Sequence, residues 1–242
     1  MGKPVQQSFV VEFLGIPGVG KTTLLNQAIH FLQEEGQETF IHKVQTNQGF
    51  ERKIQRINQI KPYFMFFLRH PFFVLRGIAT ISLLRHISFA DWQKGVVTWV
   101  KRIGRCELYR RQPGIHMVDS GILQSLWSIG FTTKSKHFDT SCHSLFDDKH
   151  RPDVVICVEA PLHIIYPRLM QRPGKNSRLE KKLDPQALNN AHFVFRQIKT
   201  FLGTVNSDDY IKIFTIDNSQ EGEEGTNAKR IVDFIISECQ SL

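Results

Sequence analysis

Five short apolar runs recur along the chain, each followed by a turn signal or by a helical pattern. The first is Phe9-Val10-Val11-Glu12-Phe13-Leu14 and the second runs from Thr39 to Val44. The third, Ile115 to Val118, ends at Asp119; the fourth is Val154 to Val158; the fifth, Ile211 to Ile216, ends at Asp217. Runs of this length and composition predict strands covered on both faces, as in a parallel sheet. Between them, apolar residues return at helical spacing. Leu24, Leu25, Ala28, Ile29 and Leu32 form one stripe that Gly36 closes. Pro185 to Leu202 predicts a long helix, and Ala228 to Cys239 predicts a closing helix with Ile231, Val232, Phe234, Ile235 and Ile236 on its apolar side. The acidic, Gly-containing stretch Ser219 to Thr226 predicts a surface loop. Strands alternating with helices predict a three-layer α/β domain around a five-stranded parallel sheet flanked by helices.

Residues 59–111 break the alternation and predict an α-helical insertion between the second and third strands, one long block punctuated by Pro62, Pro71 and Gly77. The block is rich in aromatics, among them Tyr63, Phe64, Phe66, Phe67, Phe72, Phe73, Phe89, Trp92 and Trp99, most of which are expected in the core. A spanning helix needs roughly twenty apolar residues. Arg69, His70, Arg76 and Arg85 interrupt every such window, which argues against a transmembrane segment and leaves room for an interfacial amphipathic helix.

Composition adds three constraints. A chain of 242 residues with 41% hydrophobic content fits one domain, 1–242, carrying that insertion. The four cysteines, Cys106, Cys142, Cys157 and Cys239, form no C-x-x-C pair, which fits a reducing compartment and a cytoplasmic location. His137, Cys142, His143 and Cys157 match no ordinary zinc spacing, so no structural metal is expected. The first seven residues show no apolar signal region, and Gln6 breaks the myristoylation pattern. The net charge of +8 is unevenly spread: Arg52 to Arg111 holds 13 Lys and Arg against Asp91 and Glu107, leaving the remainder of the chain at −3. That asymmetry points to an anionic partner for the segment, whether phosphates, nucleic acid or a membrane surface.

The candidate chemistry begins where the first strand ends. Gly15-Ile16-Pro17-Gly18-Val19-Gly20-Lys21-Thr22 fits the P-loop pattern G-x-x-x-x-G-K-[ST] between a strand and a helix. Such a loop aims backbone N–H groups and the helix dipole at bound phosphates. Gly15, Pro17, Gly18, Val19, Gly20, Lys21, Thr22 and Thr23 are therefore expected to bind nucleotide, with Lys21 on the β- and γ-phosphates and Thr22 on Mg²⁺. The third strand ends in a carboxylate, Asp119, in the manner of a Walker B strand; it would hold Mg²⁺ or take a proton from an acceptor hydroxyl. Asp119 or Ser120 could instead serve as the N-cap of the next helix. Ser120 and Gly121 stand where motor ATPases carry a second acid, and the chain has no N-K-x-D motif, which favours phosphoryl transfer over hydrolysis or a GTPase switch. Arg168 and Arg172, four apart on a predicted helix face, and Arg178 beyond Pro173-Gly174-Lys175-Asn176-Ser177 suit a lid that neutralises transferred charge. Gln124, one turn after Ser120, is a further candidate to face the acceptor.

These features together resemble the nucleoside and nucleotide kinases of the P-loop class, in particular thymidylate-kinase-like proteins. The resemblance rests on Gly15 to Thr23, the strand ending at Asp119, Arg151-Pro152-Asp153 leading into the fourth strand, the arginines with Arg178-Leu179-Glu180, and the last strand ending at Asp217. It implies a three-layer P-loop kinase fold, ATP and Mg²⁺ as cofactors, Lys21, Asp119, Arg168, Arg172 and Arg178 as catalytic residues, and adenine near the loop after Asp217. Three positions depart from that pattern. Ile16-Pro17 replaces an acid inside the loop, Asp119-Ser120 replaces an Asp-Arg pair, and Gln45-Thr46-Asn47-Gln48 replaces a substrate motif after the second strand. The expected function is phosphoryl transfer from ATP to a nucleoside, nucleotide or other small anionic acceptor. The alternative is a regulatory or membrane-associated P-loop ATPase that uses the basic insertion to bind a partner. For that insertion an acceptor lobe built around Arg52, Arg56, Arg69 or Arg105 ranks first, an anionic membrane surface second, and nucleic acid third. No oligomeric state follows from the sequence.

Overall fold

The computed structural model describes residues 7–37, 39–42, 63, 65–135, 138–172, 177–205, 211–220 and 222–240. Five strands form one parallel sheet: β1 (Ser8–Leu14), β2 (Thr39–His42), β3 (Gly114–Val118), β4 (Val154–Glu159) and β5 (Lys212–Asp217), in the order β2-β3-β1-β4-β5. The three central strands are buried along nearly their whole length, as strands with covered faces must be. Lys43 and Val44, expected at the end of β2, lie outside the described residues.

Helix α1 (Lys21–Glu34) follows β1 and buries Leu24, Leu25, Ala28, Ile29 and Leu32. It packs against the last helix, α9 (Glu224–Gln240), whose Ala228, Ile231, Val232 and Ile235 are buried. Residues 224–226, expected in a loop, form the first turn of α9. The other helices are α2 (Pro71–Leu83), α3 (Phe89–Tyr109), α4 (Ile122–Phe131), α5 (Phe138–Leu145), α6 (Leu162–Met170), α7 (Arg178–Lys181) and α8 (Pro185–Val205). Of these, α3 packs on α4, α4 on α8, and α5 on both α2 and α8.

The stretch between β2 and β3 is not one continuous block. Leu84–Ser88 separates α2 from α3, and Ser88 opens α3 by accepting the Asp91 N–H at 3.1 Å. Trp99, fully buried on α3, lies against Gly77 of α2, where an added Cβ would meet the indole at 1.9 Å; the ring N–H donates to the Leu145 carbonyl at 2.8 Å. Phe66 is buried as well, but Phe72 is 86% and Phe89 75% exposed, so part of the aromatic set faces outward. At the amino end of the sheet, Arg110 bridges the Asp153 carboxylate (2.6 Å) and the Arg151 carbonyl (2.7 Å), and Asp153 also accepts the Val10 N–H. Among the described residues no helix is long and apolar enough to cross a membrane.

Candidate phosphate-binding site

The crossovers decide where a ligand can sit. From β1 the chain passes through α1 to β2 on one side, whereas from β3 it travels to β4 on the other. Neighbouring strands whose connections depart in opposite directions leave a crevice at their carboxyl ends, the usual ligand position in an open α/β sheet. Gly15–Lys21 follows β1 at that point and Asp119 follows β3.

Glycine shapes the loop. Gly18 and Gly20 have φ of 92° and 99°, in the left-handed region that side chains avoid. A Cβ on Gly20 would come within 2.3 Å of Asn218 Nδ2, and one on Gly15 within 2.6 Å of the Val158 carbonyl oxygen. The loop therefore rests directly on the ends of β4 and β5. The Val19 N–H closes onto the Ile16 carbonyl (3.2 Å), and the Gly20 carbonyl accepts from Thr23 and Leu24 to start α1. Among the described residues, the Gly18 and Gly20 N–H groups have no acceptor. They stand at the N-terminus of a 14-residue helix, where free N–H groups and the dipole favour an anion. Pro17 is half-buried in the loop, Val19 is buried, and Thr23 is exposed on the first turn of α1.

Lys21 folds back over this loop. Its Nζ donates to the Gly15 carbonyl at 2.6 Å and to the Ile16 carbonyl at 3.2 Å. Burial pushes the ammonium pKa down to about 8; Asp119 opposes that shift and Arg172 adds to it. The Thr22 hydroxyl donates to the Asp119 carboxylate at 3.2 Å. A hydroxyl and a carboxylate at this separation are hard oxygen donors that fit Mg²⁺.

Glu12 is the feature that the strand pattern hid. It is buried within β1, and its Oε1 accepts the Gln124 N–H at 2.9 Å. A Cβ on Gly121 would lie 2.3 Å from its Oε2. Burial raises its pKa to about 7, against the opposing pull of the Gln124 N–H, Arg102 and the Leu123 and Ile122 N–H groups. The carboxylate thus covers the start of α4. The N-cap position there is Gly121, without a side-chain cap, so neither Asp119 nor Ser120 caps that helix. Asp119 is left to the crevice. The Gln124 side chain accepts the Gly15 N–H at 3.4 Å and ties α4 to the loop.

The three arginines separate. Arg168, on α6, donates to the Asn218 carbonyl (2.9 Å), and Asn218 Nδ2 in turn donates to the Val19 carbonyl (2.8 Å), so Arg168 braces the loop from behind. Arg172 does not share a helix face with it. The helix ends at Met170 because Pro173 disfavours helical backbone at the residue before it. Arg172 pairs with Glu180 at 3.2 Å and lies near enough to Lys21 to depress its pKa. Arg178 is turned elsewhere: it donates to the Ser128 carbonyl (2.9 Å) and hydroxyl (3.2 Å), and its Nε lies 3.5 Å from Asp91. Its bonds run to α3 and α4, not to the glycine loop. Residues 173–176 lie outside the described set, as do Gln45 to Gln48, Arg52, Arg56, Phe64 and His137.

On the other side of the loop is a cavity of about 320 Å³ lined by Ile16, Val19, Val158, Pro161, His192, Phe195, Thr215 and Asp217. That volume is at the lower end of small-molecule pockets. Asp217 lies at its rim, exposed, and accepts the Ser219 N–H at 3.0 Å. Arg69 and Arg105, expected on the acceptor side, are engaged by Glu107 (2.8 Å) and the Tyr63 hydroxyl (3.0 Å). Arg102, not among those expected, comes from α3 and lines a small space with Glu12, Ser120 and Gly121. The chain matches no family model and no curated protein.

Proposed function

We propose that the chain is a P-loop kinase of the nucleoside and nucleotide kinase type, which transfers the γ-phosphoryl group of Mg²⁺-ATP to a small nucleoside-like or anionic acceptor. The observation that carries this reading is the juxtaposition at the switch point: unpaired loop amides, the Lys21 ammonium, and the Thr22–Asp119 pair at 3.2 Å. Bound there, ATP and Mg²⁺ would supply the transferable group and a cation that neutralises charge on it. The chain's own part is positioning and electrostatics. The Gly18 and Gly20 amides hold phosphate oxygens. Lys21 exchanges its loop carbonyls for the phosphates, which holds its proton on at neutral pH. Thr22 and Asp119 orient the cation, and Arg172 adds positive charge at the rim. The cavity beside Asp217 takes the base. On the acceptor side, Glu12 fixes the turn Asp119–Gly121 by holding the start of α4.

Lys21→Ala tests this directly. ATP consumption is measured with and without a panel of nucleosides, nucleotides and phosphosugars, and circular dichroism checks the fold. Acceptor-dependent turnover in the wild type, reduced about 10²–10³-fold or more in the variant, is expected when one such electrostatic contact is removed. Near wild-type turnover in a folded Lys21→Ala protein overturns the assignment. Hydrolysis that ignores every acceptor favours the second reading, a membrane-associated P-loop ATPase. One observation supports that reading. On α2, Phe72, Leu75 and Leu83 share an exposed apolar stripe that Leu68 extends, with exposed Arg69, Arg76 and Arg85 near it.

A further inference from the structure

A second cluster lies at the opposite end of the sheet from the glycine loop. His70 precedes α2, Glu107 lies in the last turn of α3, and His150 ends the short 3-10 turn Asp148–His150 before β4. Arg110, one turn beyond Glu107 level, reaches the Ser8 carbonyl, which places the end of α3 by the amino end of β1. We propose that His70, Glu107 and His150 form a binding site for a divalent transition metal of the Zn²⁺ class.

One candidate ligand atom from each residue lies within 4.8 Å of the others, and His70 Nε2 is 4.0 Å from Glu107 Oε2. The two imidazoles meet edge to face, with ring centroids 5.2 Å apart. Two of the three side chains are already held by outer partners. His150 Nδ1 bonds the Asp147 carboxylate at 2.9 Å, which leaves its Nε2 to present a lone pair. Glu107 Oε1 accepts from Arg69 (2.8 Å) and Arg111 (2.5 Å), which leaves Oε2 toward His70. A carboxylate behind a histidine and donors behind a carboxylate are the usual second layer of a metal centre. His150 is 3% exposed and packed by Phe66 and Phe73, whereas His70 and Glu107 open to solvent, so the site has a dry wall and an entrance.

The donor set selects the cation. Two imidazoles and one carboxylate suit Zn²⁺ and its neighbours and are poor ligands for Mg²⁺ or Ca²⁺. Tetrahedral bonds of about 2.0–2.1 Å separate ligand atoms by roughly 3.4 Å, so the three groups must close by somewhat over 1 Å, and a water completes the shell. His70, at the rim, can make that movement. Arg69 and Arg111 set a limit on affinity through their charge while orienting the carboxylate. Metal bound here joins the start of α2, the end of α3 and the turn before β4, independently of phosphoryl transfer.

The test uses the full chain without a polyhistidine tag, stripped with EDTA and titrated with ZnCl₂ or CoCl₂. Expected are one Zn²⁺ per chain retained through desalting and a Tm rise of about 5–10 °C at a hundredfold excess over Kd. The Co²⁺ form should show visible d–d bands without thiolate charge transfer. His70→Gln should lose the retained Zn²⁺, the Tm rise and the d–d bands, while the metal-free Tm stays near the wild-type value. Asp147→Asn should weaken binding about 10–100-fold. No retained Zn²⁺ in the wild type, unchanged retention in His70→Gln, or a thiolate band in the Co²⁺ form overturns the proposal.

Discussion

Glu12→Gln separates the electrostatic cost of a buried carboxylate from its hydrogen bonding. The amide keeps the shape and the oxygen that accepts the Gln124 N–H, but it does not ionise. In the folded chain the Glu12 pKa is raised from 4.5 to about 7. A folded pKa above the unfolded value means that the native state binds the additional proton. Its contribution is therefore fully present below about pH 4.5 and is lost as pH rises through about 7. At about 1.36 kcal/mol per unit, that shift amounts to about 3.4 kcal/mol in full, of which about 2.5 falls between pH 5 and pH 8. Urea unfolding followed by tryptophan fluorescence across that window should show the wild type losing about 2.5 kcal/mol relative to Glu12→Gln. The quantity compared is the slope with pH. An offset between the proteins that does not depend on the ionisation of Glu12 appears equally at each pH, and the attraction of Arg102 for the ionised carboxylate is already contained in the raised pKa. The histidines are common to both proteins and cancel. Parallel slopes would show that Glu12 is solvated in the native state and that it does not hold the start of α4 from a dry position.

Arg178→Ala and Arg172→Ala should differ in kind. Arg178 bridges Ser128 and Asp91, so its loss should cost about 1–3 kcal/mol in urea unfolding and should leave the nucleotide dependence of turnover unchanged. Arg172 is exposed but pairs with the buried Glu180, which keeps the Ser177 N–H as a donor, so its loss should cost about 1 kcal/mol in urea unfolding and should also lower acceptor-dependent turnover. If the stripe on α2 meets lipid, vesicles containing anionic lipid should co-sediment the protein at low salt and release it in part at high salt; Phe72→Ser should reduce pelleting severalfold. Equal pelleting of the wild type and Phe72→Ser would remove the membrane reading.

The sheet was legible because each strand is a short, mostly apolar run ending at a turn, and because covering both faces of the three central strands leaves little freedom of assignment. Helices α1, α8 and α9 were legible from their stripes to within a few residues at each end. The stretch between β2 and β3 was less so. Its breaks depend on Ser88 capping α3 and on Gly77 admitting Trp99, contacts between residues that sequence spacing does not bring together. Exposure of Phe72 and Phe89 was likewise hidden, since an aromatic at helical spacing reads the same whether or not another element covers it.

The candidate site divides in the same way. Gly15 to Thr22 could be read because phosphate binding there depends on consecutive backbone groups, and consecutive groups leave a pattern in the sequence. Proximity in sequence does not distinguish Arg168, Arg172 and Arg178, yet α6 ends at Met170, before Arg172, and the pairing with Asp91 turns Arg178 away. Glu12 is not legible from the sequence because a single acid in a strand is ordinarily a surface residue; its role comes from the start of α4, distant in the chain, where it accepts the Gln124 N–H. His70, Glu107 and His150 are still less readable, because each comes from a different element and metal-ligand spacings are informative when at least two ligands share a turn. A chemistry carried by backbone leaves a motif, whereas one carried by side chains from distant elements leaves isolated polar residues in apolar surroundings. Glu12 and His150 are such residues, and burial sets them, together with His116 and Glu180, apart from the more exposed acids and histidines among the described residues.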